Sequence, residues 1–344
     1  MKAGEGMIAE WAEVEAVLLA WPHQSTDWQP WLVQIQQDYV ALATAIATSA
    51  TPLILCQDAA HEAQIRAQLG QRCHHAPRFV QAPYNDTWCR DYGPVAVRRD
   101  GRLTLLDFQF RGWGDKYDAV LDNGINQQLQ DLWLAPLETV NYELEGGSIE
   151  TDGQGSLLTT AHCLLDSNRN QAYDKPAVEH FVLKQLGLAQ IQWITQGALL
   201  GDDTDSHIDN LVRYCAEDTI AYLACSREDD VHYPALKAMA AQVLALRQPD
   251  GRPYRCVPIE LPQACFSEAG TRLPASYVNF LIVNEVVLVP VFDCPQDAQA
   301  LAALGGCFPG RQLLPVPGGN LIRQFGGPHC ATMQLPRGSL HPVQ

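Results

Sequence analysis

Val95-Ala96-Val97-Arg98-Arg99, then Asp100-Gly101, then Leu103-Thr104-Leu105-Leu106, reads as a β-hairpin. An Asp-Gly pair between apolar runs readily takes the positive φ angles of a tight turn. Outward from this stretch the pattern recurs. Residues 148–160 fold back around Asp152-Gly153, residues 207–225 around Ala216-Glu217-Asp218, and residues 276–291 around Asn284-Glu285. Helical periodicity follows these hairpins, over 173–186, 235–247 and 298–304, and then a further strand, as at 190–194 and 313–316. The unit is ββαβ. Hairpin starts near Asp91, Gly146, His207 and Ser276 repeat it at intervals of about 55 to 70 residues.

Units of this kind stack or close into rings, because each buries its faces against its neighbours. A fifth strand begins at Cys330 with no hairpin partner after it. At the other end, the strand-like Ala16-Val17-Leu18-Leu19-Ala20-Trp21 precedes a helix over 32–47, a strand over 52–56 and a helix over 59–69, and it too lacks a hairpin partner. Pairing the two orphans closes the ring and removes exposed sheet edges. The expected architecture is one α/β domain over residues 1–344 with fivefold ββαβ repetition.

With 47% hydrophobic and 18% charged residues in a chain of 344, the composition is that of a compact globular protein. A formal charge of −16, from 39 acids and 23 bases, argues against nucleic acid and anionic membranes as partners and favours a small cation. The eleven cysteines include no CxxC pair, which speaks against zinc ribbons and thioredoxin-type sites. Cys56, Cys215 and Cys225 lie in apolar strand patterns, as expected of reduced, packed thiols. Glu5, Glu10, Glu13 and Glu15 break the amino-terminal apolar residues, so no signal-peptide pattern is present and no later segment is long enough to span a bilayer. The expectation is a cytoplasmic protein; a homo-oligomer is left open.

Four polar motifs interrupt this pattern where strands begin: Asn85-Asp86-Thr87-Trp88-Cys89-Arg90-Asp91, Leu144-Glu145-Gly146-Gly147-Ser148, Ser206-His207-Ile208-Asp209-Asn210, and Gly326-Gly327-Pro328-His329-Cys330. On a strand, His207 and Asp209 would leave the same face. Taken alone that pair equally suits a metal or a polar sheet edge. Cys330, at an exposed strand start after Gly-Gly, is a candidate nucleophile; by itself it is equally a packed thiol. Glu145 could be a turn residue, and Asp91 could pair with Arg90 or hold a turn with Asp86. Trp88 and Trp113, the latter within Arg111-Gly112-Trp113-Gly114, are core aromatics by default, though an aromatic face beside glycines also suits a planar cation. The joint signal is stronger, because equivalent strand starts in a ring converge on one axial site. A thiol, an imidazole and several carboxylates there could hold a guanidinium and attack its carbon.

In these motifs the chain resembles the agmatine deiminase and bacterial (Porphyromonas-type) peptidylarginine deiminase family of guanidino-group-modifying enzymes. The resemblance spans essentially the whole chain: Trp21-Pro22-His23, Asn85 through Pro94, Leu144-Glu145-Gly146-Gly147-Ser148-Ile149, Leu158-Thr159-Thr160, Asn168-Arg169-Asn170, His207-Ile208-Asp209-Asn210 and His329-Cys330. It implies a five-bladed α/β propeller and hydrolysis of a guanidinium to a ureido group with release of ammonia. Carried over residue by residue, Cys330 matches the nucleophile, His207 the general acid/base, Asp91 and Asp209 the carboxylates that grip the guanidinium, and Glu145 the acid beside them. Two departures bear on the far end of the substrate. Phe325-Gly326-Gly327-Pro328-His329-Cys330 stands where agmatine-specific members typically show Gly-Gly-Gly-Asn-Ile-His-Cys, and Tyr92 replaces a usual threonine.

The expected chemistry is covalent and needs no metal or other cofactor. Two carboxylates orient the guanidinium. Cys330 adds to its carbon, His207 protonates the departing ammonia, and the same imidazole activates water against the thiouronium. Agmatine is the first choice of substrate. Peptidyl or free arginine, the second, would need a cationic residue such as Arg111 or Lys116 for its carboxylate. A metal-dependent hydrolase using His207, Asp209 and Asp91, and a non-catalytic ring-shaped binding protein, rank below both.

Overall fold

A computed structural model describes residues 4–342. The described residues form five separate mixed sheets in an α/β architecture, each built on one antiparallel pair followed by a parallel strand. The hairpin Val95–Arg99/Arg102–Gln109 turns through Asp100 (φ 50°) and Gly101 (φ 75°), the positive angles that an Asp-Gly turn supplies. Leu137–Glu143 then adds in parallel, and the short Gly6–Met7 covers the other edge. The same order builds Ile149–Thr151, Ser156–Thr160 and Gln190–Ile194, then Val212–Ala216, Thr219–Ala224 and Arg255–Glu260, then Leu281–Val283, Val286–Val291 and Gln312–Pro317.

The fifth sheet joins the ends of the chain. Thr332–Pro336 pairs antiparallel with Val14–Ala20, as the two unpartnered apolar segments required, and Thr51–Cys56 and Arg78–Gln81 extend it in parallel. Parallel neighbours need a crossover, which helices such as Leu32–Ile46, Lys175–Leu186, Tyr233–Ala245 and Gln296–Gly305 provide. Asp174 caps Lys175–Leu186 by accepting from the Ala177 amide (3.0 Å), and Gly187 ends it at φ 63°. Central strands such as Thr51–Cys56 and Val286–Val291 are buried on both faces, so they appear in the sequence as unbroken apolar runs.

One expectation requires correction. The four motifs do not start strands. Cys89–Tyr92 is a single α-turn, Gly146–Ser148 and Ile208–Asn210 are 3₁₀ turns, and Cys330 lies in a turn closed by Ala331 N–H to Gly327 O (3.1 Å), two residues before its strand. His207 and Asp209 are therefore not alternate residues of one strand face. The apolar alternation begins only at Val212, and the polar residues before it satisfy their backbone groups by turning. The third and fourth hairpins accordingly begin at Val212 and Leu281, later than His207 and Ser276.

Candidate active site

The turns that precede the antiparallel pairs deliver polar side chains inward. Asp91 comes from the turn Cys89–Tyr92, Glu145 from the residue before Gly146–Ser148, His207 and Asp209 from either side of Ile208, and Cys330 from the last turn. All five are buried. Gly147 shows how tightly they converge. A Cβ on this residue would lie 2.7 Å from His207 Nδ1, 2.8 Å from Asp91 Oδ1 and 3.1 Å from Asp209 Oδ2. Its own N–H donates to Asp91 Oδ1 at 2.8 Å, so the backbone both orients that carboxylate and passes where no side chain fits.

His207 stands between two acids, with Nδ1 3.7 Å from Asp91 Oδ1 and Nε2 3.8 Å from Glu145 Oε2. These separations allow charge attraction but are too long for hydrogen bonds, and both ring nitrogens lack a partner among the described residues. Burial opposes a charged imidazole, yet the Asp91 charge, with Cys163 and Glu145 beside it, holds His207 well above its ordinary value. Glu145 lies at about 2: its burial is outweighed by His207 and by Arg169, whose Nε reaches its two oxygens at 2.9 and 3.0 Å. Asp91 is pushed up to about 6, chiefly by burial, against the attraction of His207. Its Oδ2 accepts from Trp113 Nε1 at 2.9 Å, and Arg90 turns away to Glu10.

Cys330 Sγ lies 3.3 Å from Asp209 Oδ2 and receives Asn279 Nδ2 at 3.1 Å. Burial first, then the charges of Asp209 and Asp91, raise its thiol well above the ordinary range. The resting sulfur is therefore protonated. Asp209 divides its oxygens: Oδ2 takes Cys330 and His329 Nδ1 (2.8 Å), whereas buried Oδ1 has no partner among the described residues.

A cavity of ≈ 190 Å³ opens onto Asp91 and Cys330. That is below the roughly 300–1,000 Å³ of sites for drug-sized ligands, so the space suits a small molecule. Trp31, Trp88, Trp113 and Tyr117 give it aromatic walls, and Asp27, Asp86 and Asp203 make its polar lining acidic. Trp88 and Trp113 both line the cavity, Trp88 packing so closely on Gly326 that no side chain fits there. Arg111 and Lys116 do not line the cavity. Arg111 pairs with Asp115 at 2.6 Å and Lys116 with Asp205 at 2.9 Å; the cation that does line it is Arg323.

Neither cluster of metal-type ligands fits a metal. Glu145, Cys163 and His207 have donor atoms within 4.8 Å of one another, but Arg169 already holds both oxygens of Glu145. Glu10, Glu150 and His329 are threaded by the buried guanidinium of Arg213. A dication in either place would face a fixed positive charge.

Sequence reasoning missed Asn279, whose Oδ1 accepts from the amides of His329 (3.1 Å) and Cys330 (3.3 Å) while its Nδ2 reaches the sulfur. The available signal was positional. Asn279 is a lone polar residue in Tyr277-Val278-Asn279-Phe280, just ahead of the fourth hairpin, where the other repeats carry a motif. His329 and Arg169 lay inside quoted motifs without a role.

Comparison with known proteins places this arrangement. The family model for Porphyromonas-type peptidyl-arginine deiminase matches residues 6–336, which include every residue of the site. The chain belongs to this family. Among its relatives, the agmatine deiminase of Pseudomonas syringae pv. tomato is 31% identical over 97% of this chain and 96% of its own. The solved structure of C. jejuni agmatine deiminase with substrate bound, a cysteine-to-serine variant, is 31% identical, with a TM-score of 0.90 over 98% of this chain and 97% of that one. A structure provisionally named as an arginine deiminase, from Porphyromonas gingivalis, is 40% identical, with a TM-score of 0.92 over 98% of this family member and 100% of that chain. The α/β fold is thus that of solved agmatine deiminases. Among the described residues of this family member, no helix is long and apolar enough to cross a membrane.

Proposed function

We propose that this protein hydrolyses the guanidinium of agmatine to a ureido group, giving N-carbamoylputrescine and ammonia, through a thiouronium on Cys330. One observation carries the reading. Beside the Cys330 sulfur, Asp209 Oδ1 and both nitrogens of His207 are buried without partners among the described residues, although buried polar atoms are almost always paired. A planar cation with several N–H donors fits the Asp209 oxygen left open there. Agmatine deiminases at about 30% identity over nearly the full chain support the same substrate.

In this mechanism Asp91 and Asp209 accept N–H hydrogen bonds from the guanidinium and place its carbon against Cys330. The substrate's charge neutralises the two carboxylates that hold the thiol protonated, so the thiolate forms when substrate is bound. Sulfur adds to the carbon, His207 gives its proton to one nitrogen, and the C–N bond breaks with loss of ammonia. Neutral His207 then takes a proton from water, whose oxygen adds to the thiouronium. The C–S bond then breaks as the adduct's hydroxyl proton passes to the departing sulfur, which leaves the urea and restores the resting thiol.

The five sheets are the blades of a single closed α/β propeller, a reading supported by the ββαβ order of each and by the pairing of Thr332–Pro336 with Val14–Ala20. A ring makes the five preceding turns neighbours at one pole.

The far end of the substrate is met by acid. Asp86 lines the cavity and is pushed up to about 7, by burial first and by the Asp27 charge, with no cation paired to it among the described residues. The terminal ammonium of agmatine supplies that cation. A second reading, free or peptidyl arginine, is favoured by Arg323, whose ion-pair partner Glu268 is at 3.4 Å and mostly exposed, leaving the guanidinium able to meet a carboxylate. Agmatine, arginine and an arginyl peptide, assayed side by side at one ionic strength, separate the two. Agmatine should lead in kcat/KM by on the order of 10²-fold, the cost of a mismatched charge at a desolvated contact. Equal or better turnover of the carboxylate-bearing substrates would reverse the assignment and direct attention to Arg323.

The pH profile is a separate check. Below about 6 the buried Asp91 gains a proton and loses its hold on the guanidinium, so kcat/KM should fall through that range. On the alkaline side the decline should begin well above neutrality, because His207 keeps its proton there. An acid limb that stays flat down to about pH 5 would contradict the role of Asp91.

A further inference from the structure

We infer that the proton of the Cys330 thiol leaves along Asp209 and His329 to Glu10, away from the substrate cavity. The inference rests on the covalent mechanism above and adds the step that mechanism lacks, an acceptor for the thiol proton.

His207 cannot be that acceptor, since its part in the reaction is to arrive protonated, and no ring nitrogen of it bonds the sulfur. The acidic oxygen in contact with Sγ is Asp209 Oδ2 at 3.3 Å. From that oxygen a continuous chain runs onward: His329 Nδ1 at 2.8 Å, then His329 Nε2 to Glu10 Oε1 at 2.6 Å. A neutral imidazole between two carboxylates has one N–H for two acceptors, so one contact is short of a proton. The thiol can supply it. The S–H bond breaks as an O–H bond forms on Asp209; that proton passes to His329 Nδ1; the Nε2 proton passes to Glu10, and from there to water. One proton enters the chain and one leaves, and sulfur keeps the electron pair with which it attacks carbon.

The groups around the chain keep each member in the required state. Glu10 faces Arg213 Nη2 at 2.6 Å, Arg90 Nη1 at 3.4 Å and Gln334 Nε2 at 3.0 Å, with Glu150 on the far side of Arg213. His329 faces only Asp209 and Glu10 through its ring, with Arg90 Nε donating to its carbonyl at 3.3 Å. Burial, then Arg213 and Arg90, pull His329 below its ordinary value, so it stays neutral; Glu10, despite burial, is lowered by Arg213 and His329, so it stays an acceptor. Glu10 is also the member with an outlet. Its side chain is 15% exposed, and it lines a second cavity with Met7, Ile8 and Gln334 that shares no residue with the substrate cavity. With substrate filling the first cavity, the second remains open to solvent.

Glu10 and His329 act through Asp209, so they are positioning and relay residues, and the test must separate relay from architecture. Glu10→Gln keeps the size and an acceptor for Arg213 but removes the proton acceptor; Glu10→Asp keeps the carboxylate. Two rates are read in each protein. One is single-turnover formation of the agmatine adduct on Cys330, by acid quench and mass spectrometry. The other is alkylation of Cys330 by iodoacetamide without substrate, where the open cavity lets water take the proton. We expect Glu10→Gln to slow adduct formation by about 10²-fold, the lower end of proton-transfer effects, with alkylation not slowed. Glu10→Asp should retain most of the adduct rate. Adduct formation in Glu10→Gln within about 2-fold of the parent rate would overturn the relay, and so would parallel slowing of both reactions, which is the signature of a displaced thiol. If the unaltered protein forms no adduct at all, the proposed function fails, and the relay with it.

Discussion

Cys330→Ala should release no ammonia from agmatine above background, a fall of roughly 10⁴-fold or more, because addition of sulfur to the guanidinium carbon has no substitute in the cavity. The fold should survive. The residue is buried in a turn, and its removal takes away one sulfur atom together with that atom's hydrogen bonds to Asp209 and from Asn279. Agmatine should still bind, since Asp91, Asp209 and Asp86 remain. Ligand present at 100 times Kd adds about 2.7 kcal/mol to the folded state, so a rise in Tm with agmatine reports binding without turnover. Retained turnover in Cys330→Ala would remove covalent catalysis. Lost turnover with no ligand-dependent rise in Tm would mean that the thiol holds the site together and is not only its nucleophile.

Gly147→Ala is expected to be damaging too, although Gly147 does not line the cavity. One methyl group would have to enter the space between His207 Nδ1, Asp91 Oδ1 and Asp209 Oδ2, where its carbon meets all three at 2.7 to 3.1 Å. None of these can retreat freely. Asp91 is fixed by the Gly147 amide and Trp113 and Asp209 by His329, while His207 is buried between Asp91 and Glu145. A displacement of about 1 Å in such a constellation costs on the order of 10²-fold in rate. The fall should appear mainly in kcat, with circular dichroism unchanged. A Gly147→Ala protein within about 3-fold of the parent would show that these side chains have more room than their contacts indicate.

Much of the architecture was legible because hydrophobic periodicity and turn chemistry act over a few residues. Asp100-Gly101 marked its hairpin through the backbone angles those residues adopt, and helix 59–69 and strand 190–194 fell where their apolar spacing put them. The motifs were legible as polar residues interrupting buried patterns. Their conformation was misread: alternation makes His207 and Asp209 look like one strand face, but a polar segment that cannot bury its face turns to satisfy its own backbone, and Ile208–Asn210 is a 3₁₀ turn. Asn279 was missed for the opposite reason: only its position ahead of the fourth hairpin marked it, as a single amide in an apolar run whose partners, His329 and Cys330, lie some fifty residues further along the chain.

By itself, then, the sequence determined the repeating ββαβ order, the pairing of the chain's two end strands, and the set of residue types with which a guanidinium could be held and attacked, since all of these follow from local patterns and the need to bury apolar faces. Tertiary structure alone decided the protonation and the partners of that set. Cys330 is a resting thiol because burial places it beside Asp209 and Asp91, Arg111 and Lys116 are spent on surface and loop acids while Arg323 lines the cavity, and Glu10 joins the site through His329. Charge interactions depend on distance and on exclusion of water, and neither can be read from positions 10 and 329 in a linear chain.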